Sequence, residues 1–146
     1  MMTNYVLGFA FFPNGDLVLI KKTKPDWQKG HMNGVGGKVD PGDGSLNIAM
    51  AREFQEETGV VTEAFDWKIF TVMRFLDVRV FCFVVRLHEN DKPRTTTEEE
   101  IYRVVTKYLD QYPHPLIDNL EWLIPMARCF LNDPDSNQVP HTLDHE

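Results

Sequence analysis

The chain has 146 residues, 42% hydrophobic and 25% charged, which suits one soluble domain around a single core. Its formal net charge of −7, with no lysine or arginine stripe, argues against a nucleic acid polymer as partner. The apolar run Val6 to Phe12 is too short for a signal peptide or a membrane span, and Cys82 and Cys129, each inside an apolar run, read as buried free thiols in a reducing cytoplasm.

From Asn4 to Phe12 the residues are apolar and aromatic, "PNGD" turns the chain, and "LVLIKK" runs back, which predicts a β-hairpin. Thr23 to Asn33 is polar, broken by Pro25 and Gly30, and reads as an exposed loop carrying Trp27. "GVGGKV" follows, a short strand whose glycines mark a bulge or a close backbone approach. Ser45 as N-cap and Gly59 as stop bound a helix over Leu46 to Thr58, with Met50, Ala51 and Phe54 on one side and Glu53, Glu56 and Glu57 within one arc on another.

"WKIFTVMRF" and "LDVRVFCFVVRL" predict two strands, the second central because both of its faces are partly apolar. On that strand Leu76, Val78, Val80, Cys82 and Val84 share one face, and Phe75, Asp77, Arg79, Phe81 and Phe83 the other. The charged stretch 88–100 leads to a strand over Ile101 to Leu109, then "DQYPHP", then a helix from Asp118 that Pro125 should kink or split. Beyond Asn132 a polar, poorly ordered tail is expected. The organisation is thus one mixed α and β domain over 1–132 and a tail over 133–146.

Three glutamates on one helical arc repel, each like-charged pair costing about 0.2–0.5 kcal/mol. A divalent cation against them reverses the sign, and hard carboxylate oxygens select Mg²⁺ or Mn²⁺. A solvated acidic helix face is the plain alternative.

Reading outward from the helix, "GGKVDPGDGSLNIAMAREFQEETGV" resembles the signature of the Nudix hydrolase family: a glycine, an acid, then Arg-Glu-apolar-any-Glu-Glu-any-Gly-apolar, with Gly37 and Arg52 to Val60 on its fixed positions. Two departures stand upstream. The acid is Asp43 where the family has glutamate, and one extra residue separates it from Arg52, placed here in the "GDGS" turn, which leaves the role of Asp43 open. "HMNGVGGKV", "FLDVRVFC", "LDQYP" and "IDNLEW" extend the resemblance to the MutT-type subgroup, whose members act on oxidised purine nucleoside triphosphates, over Tyr5 to Leu131.

The resemblance implies an α+β fold, an α/β/α sandwich with a mixed curved sheet between helices. It implies that Glu53, Glu56 and Glu57, with the Gly37 backbone, bind Mg²⁺, with Mn²⁺ as a substitute, and that Glu53 is the first candidate to take a proton from the attacking water. Arg52 either orients the acidic stripe or forms an ordinary surface pair with Glu56. Lys38 either offsets phosphate charge or is a surface residue. A further acid is expected from "TEEEI", with Glu100 fitting by its spacing to "LDQYP"; an exposed acidic turn is the alternative.

For the base, the resemblance maps Asn33, Asp118 and Asn119 onto purine-binding positions, while Asp118 with Glu121 also makes a capping-box-like helix start. Trp27, Phe75 and Phe81 either stack on a base or belong to the core. The implied activity is hydrolysis of a nucleoside triphosphate such as 8-oxo-dGTP to the monophosphate and pyrophosphate. Cleavage of ADP-ribose, NADH or dinucleoside polyphosphates, and nucleotide binding without turnover, are the alternatives; neither the substrate nor the oligomeric state, monomer or homodimer, can be read from the residues.

Overall fold

Strand β1 (Thr3–Phe11) explains the architecture, because alternate side chains feed two separate cores. Leu7, Phe9 and Phe11 point into one apolar cluster, and Val6 and Ala10 into the other, where Phe12 follows them. The computed structural model describes residues 2–133 and the backbone of 141–144. Its other elements are β2 (Leu17–Lys21), β3 (Met32–Asn33), β4 (Val35–Lys38), α1 (Leu46–Thr58), β5 (Lys68–Phe75), β6 (Val78–Arg86), β7 (Ile101–Val104), α2 (Leu120–Asn132) and β8 (His141–Asp144).

The sheet has the order β3-β2-β1-β6-β5-β8, with β4 also pairing β1 and β7 also pairing β2. β1 runs parallel to β6 along its whole length. On its other side it is shared by two antiparallel strands, β2 from Ala10 and β4 from Tyr5 to Gly8. α1 covers one face through Ala49, Met50 and Phe54, and α2 the other through Leu120, Leu123, Ile124 and Ala127. This is the α/β/α sandwich with a mixed sheet, and β6 is central as its two-sided apolar pattern predicts.

Several local expectations change. β7 ends at Val104, and a 3-10 segment, Thr106–Gln111, replaces the rest of the predicted strand. α2 starts at Leu120 and runs through Pro125 unbroken; burial of four side chains outweighs the roughly 3 kcal/mol that an interior proline costs. Cys82 is buried but Cys129 is exposed. Part of the expected tail, His141–Asp144, pairs in parallel with β5, where poor order was predicted; 134–140 and 145–146 lie outside the described residues. Among the described residues no helix is long and apolar enough to cross a membrane.

Candidate active site

The acidic helix forms as its sequence dictates. Ser45 accepts a hydrogen bond from the Ile48 N–H at 3.1 Å, and Gly59 ends α1 in the left-handed region at φ 78°. Burying Ala49, Met50 and Phe54 against the sheet fixes the rotation of the helix. That rotation lays Glu53, only 9% exposed, along β4, and leaves Glu56 open to solvent.

Arg52 is the hub of the acidic cluster. Its Nε and Nη2 donate to the two carboxylate oxygens of Asp43 at 2.6 and 2.9 Å, a bidentate pair. Nη1 donates to Glu53 Oε1 at 3.0 Å and to Glu56 Oε2 at 3.1 Å, and Nη2 reaches the Lys38 carbonyl at 3.3 Å. With a further bond from Nη1 to Glu56 Oε1 at 3.2 Å, six acceptor contacts from one guanidinium are more than a surface i to i+4 pair. Asp43 is itself buried and held by a reciprocal capping box with Asp40 in the turn Pro41–Asp43. The hydrogen bond from Arg52 keeps its carboxyl below the usual carboxylate range. The extra residue upstream of Arg52 therefore leaves Asp43 with a defined task, anchoring Arg52, and the spacing Asp40-Pro41-Gly42-Asp43 was the sequence signal for it.

Gly37 lies directly over Glu53. A Cβ built there would stand 2.5 Å from Glu53 Oε2 and 2.7 Å from Oε1, so no larger residue fits while Glu53 keeps its place. Burial pushes the Glu53 carboxyl up, Arg52 opposes this, and Glu56 and Glu57 add to it. Burial likewise raises Glu57; its hydrogen bond from Thr97, at 3.1 Å, works against the rise, and Glu99 adds to it.

The loop acid that bears on this cluster is Glu99. Its side chain is 7% exposed and accepts from Thr23 N–H at 2.6 Å, from the Thr23 hydroxyl at 3.1 Å and from Lys22 Nζ at 3.2 Å. Burial works to raise its pKa, but these donors outweigh it and leave it lowered. Glu100 instead turns its exposed carboxylate toward Lys21, at 3.8 Å, because consecutive residues entering β7 point in opposite directions. The expected role of Glu100 is corrected accordingly.

The donor set suits a hard divalent cation in its chemistry: it consists of carboxylate oxygens, and Gly37, lacking a side chain, lets the Glu53 carboxylate lie directly against β4. Among the described residues no three acidic, imidazole or thiol side chains stand ready-made at ligating distance. Arg52 and Thr97 hold Glu53, Glu56 and Glu57 with bonds that leave Glu53 Oε2 and Glu57 Oε1 outside them.

A cleft of about 480 Å³ opens on the α2 face of the sheet, within the range of small-molecule sites. Trp27, Asn33, Met73, Phe75, Asn119 and the Gly36–Gly37 backbone line it. Trp27 is 68% exposed and so is no core residue. Asn33 is fixed by donating from Nδ2 to Gln28 Oε1 at 3.2 Å and accepting at Oδ1 from Gly34 N–H at 2.8 Å. Asn119 donates to Met73 Sδ at 3.5 Å, and its Oδ1 is a buried acceptor with no hydrogen-bond partner. Such an atom is costly unless something brings it a donor.

Three expected substrate contacts fall elsewhere. Phe81 lies on the α1 face, beneath the Arg79 guanidinium at 5.7 Å, because alternation puts it opposite Val80, which does line the cleft. Asp118 is exposed and borders a neighbouring hollow with His114 and Arg128; nor does it cap α2, whose N-cap is Asn119 without a side-chain cap bond. Lys38 is exposed at the end of β4 and offers Arg52 its carbonyl, not a side chain to the cleft.

The chain matches the family model of the NUDIX domain over residues 2–127. No curated protein matches it. Among solved structures, a MutT from work on Aliivibrio salmonicida and Vibrio cholerae superposes with a TM-score of 0.71 at 22% identity, covering 88% of this chain and 98% of that one. The NUDIX domain of Shewanella oneidensis NrtR, complexed with ADP ribose, gives 0.74 at 18% identity, covering 90% and 89%. An ADP-ribose pyrophosphatase from Streptococcus suis gives 0.65 at 14% identity, covering 99% and 100%.

Proposed function

Because the chain belongs to the Nudix hydrolase family, we propose that it is a MutT-type enzyme of the cytoplasm, one domain over 1–132, hydrolysing a nucleoside triphosphate to the monophosphate and pyrophosphate. The leading substrate is an oxidised purine nucleotide such as 8-oxo-dGTP. One observation supports this: the cleft holds the unpaired Asn119 carbonyl, and Gly37, which lines it, is the residue against which the Glu53 carboxylate packs.

Glu53, Glu56 and Glu57, with the Gly37 backbone, would hold Mg²⁺, or Mn²⁺ in its place, and the bound cation supplies charge neutralisation along the polyphosphate. Arg52, fixed by Asp43, holds Glu53 through Oε1 and leaves Oε2 toward Gly37. Glu53 is the first candidate to take the proton of the attacking water, and a cation held beside it would share that work by acidifying the water. Trp27 and Phe75 flank the base, and Asn33 and Asn119 address its polar edge.

The partner is thus a small nucleotide, without a polymer or a membrane. A second reading, pyrophosphatase action on ADP-ribose, NADH or dinucleoside polyphosphates, draws on the cleft's open mouth at the exposed Trp27, since a pocket for one purine also admits half of a dinucleotide. Incubation with a nucleotide panel and Mg²⁺, followed by product analysis, separates the two. Pyrophosphate from triphosphates is expected; binding without turnover of any member would leave a nucleotide-binding module.

A further inference from the structure

The last turn of α1 carries Glu56 and Glu57, and it ends in carbonyls that the helix itself cannot satisfy. The segment 94–99 satisfies two of them. Arg94 N–H donates to the Thr58 carbonyl at 2.9 Å, and the Thr96 hydroxyl donates to the Glu56 carbonyl. The Arg94 guanidinium lies beside Gly59, where a cation complements the negative end of the helix dipole.

Thr97 does something different. Its hydroxyl donates to the Glu57 carboxylate at 3.1 Å and accepts the Glu99 N–H at 3.1 Å. Glu99 then bonds Thr23 and Lys22, and Lys22 lines the cleft. A continuous chain of hydrogen bonds thus joins one acidic ligand of α1 to the wall of the cleft.

We propose that segment 94–99 is a strap in which Thr97 is the positioning residue for Glu57, holding one carboxylate oxygen so that the other is presented to the cation. This rests on the metal-binding role of the glutamates proposed above. A carboxylate with one oxygen fixed has lost its rotamer freedom before the ion arrives, and such supporting bonds are worth about 10- to 100-fold in metal affinity or activity.

The test compares Thr97→Val, which keeps the shape and removes the hydroxyl, with Thr97→Ser, which keeps the hydroxyl. Mn²⁺ binding is measured by calorimetry without substrate, beside Tm, the Mg²⁺ half-saturation of hydrolysis and the nucleotide KM at saturating Mg²⁺. Thr97→Val should weaken Mn²⁺ binding and raise the Mg²⁺ half-saturation about 10- to 100-fold, with Tm and KM near wild type, and Thr97→Ser should restore both. Wild-type Mn²⁺ affinity in Thr97→Val overturns the proposal. So does an equal loss in Thr97→Ser, or a Tm drop in both variants that accounts for the weaker binding. Should the wild type bind Mn²⁺ but hydrolyse no nucleotide, the proposed activity fails while the Mn²⁺ comparison still decides on Thr97.

Discussion

Gly36 and Gly37 are neighbours whose substitution by alanine should fail in opposite ways. At Gly37 the new methyl would stand 2.5, 2.6 and 2.7 Å from Oε2, Cδ and Oε1 of Glu53, where ordinary contact begins at 3.4 Å. The carboxylate must therefore retreat by about 1 Å, and a displacement of that size costs roughly 100-fold in rate, about 2.7 kcal/mol of transition-state stabilisation. Glu53 is a side chain that can turn aside, so Gly37→Ala should fold with Tm within about 5 °C of wild type. At Gly36 the methyl would meet the Val6 carbonyl at 1.9 Å, inside the β1–β4 ladder. Backbone cannot yield there without breaking strand pairing, so Gly36→Ala should lose folded protein instead of turnover. Steady-state pyrophosphate release and thermal melts on both variants make the comparison. If Gly37→Ala keeps wild-type kcat/KM and magnesium requirement, Glu53 in its present position takes no part in the chemistry.

Glu56→Gln should lower turnover by several orders of magnitude while the melt stays unchanged, since Glu56 is exposed and its loss leaves no buried group unpaired; normal turnover in that variant would remove the acidic stripe from the mechanism. Asn119→Ala should raise the KM for the purine nucleotide up to about tenfold at constant kcat without lowering Tm, because Oδ1 has no partner to lose in the free protein. An unchanged KM across a nucleotide panel would take Asn119 out of recognition. Asp43→Asn should cost about 1–3 kcal/mol at neutral pH by weakening the bidentate bond to Arg52. The folded Asp43 carboxyl is lowered, so its contribution is complete above the ordinary value near 4 and drains away as pH falls through the depressed one. Melts against pH should therefore show the gap between wild type and Asp43→Asn wide at neutrality and closing in acid; a constant gap would mean that the carboxylate's charge is not what anchors Arg52.

Elements set by local chemistry were legible in the sequence. α1 is announced by Ser45, by apolar residues at helical spacing and by Gly59, and its bounds match. The centrality of β6 was legible too, because both of its faces are apolar. What was hidden depends on tertiary placement. Alternation says that Phe81 and Val80 face opposite ways, but not which helix each will meet. In "TEEEI" three adjacent glutamates offer no periodicity to mark the inward one; only the Thr23 N–H and the Lys22 ammonium select Glu99. Thr97 carries no signal at all, since a threonine in a polar loop is ordinary. The strand at 141–144 draws its pairing from the open edge of β5, which the tail's own residues do not disclose.

The sheet keeps its acidic helix on one side and its cleft on the other, and β4 borders both, since Gly37 lines the cleft and also packs against the Glu53 carboxylate. On the proposed reading, selectivity and bond-breaking would be written on opposite surfaces of a single layer. On that reading, residues of β3, the 23–33 loop and the start of α2 could be exchanged to favour a new nucleobase while the machinery around Arg52 stays as it is, so a chain of this design could change its diet without relearning its chemistry.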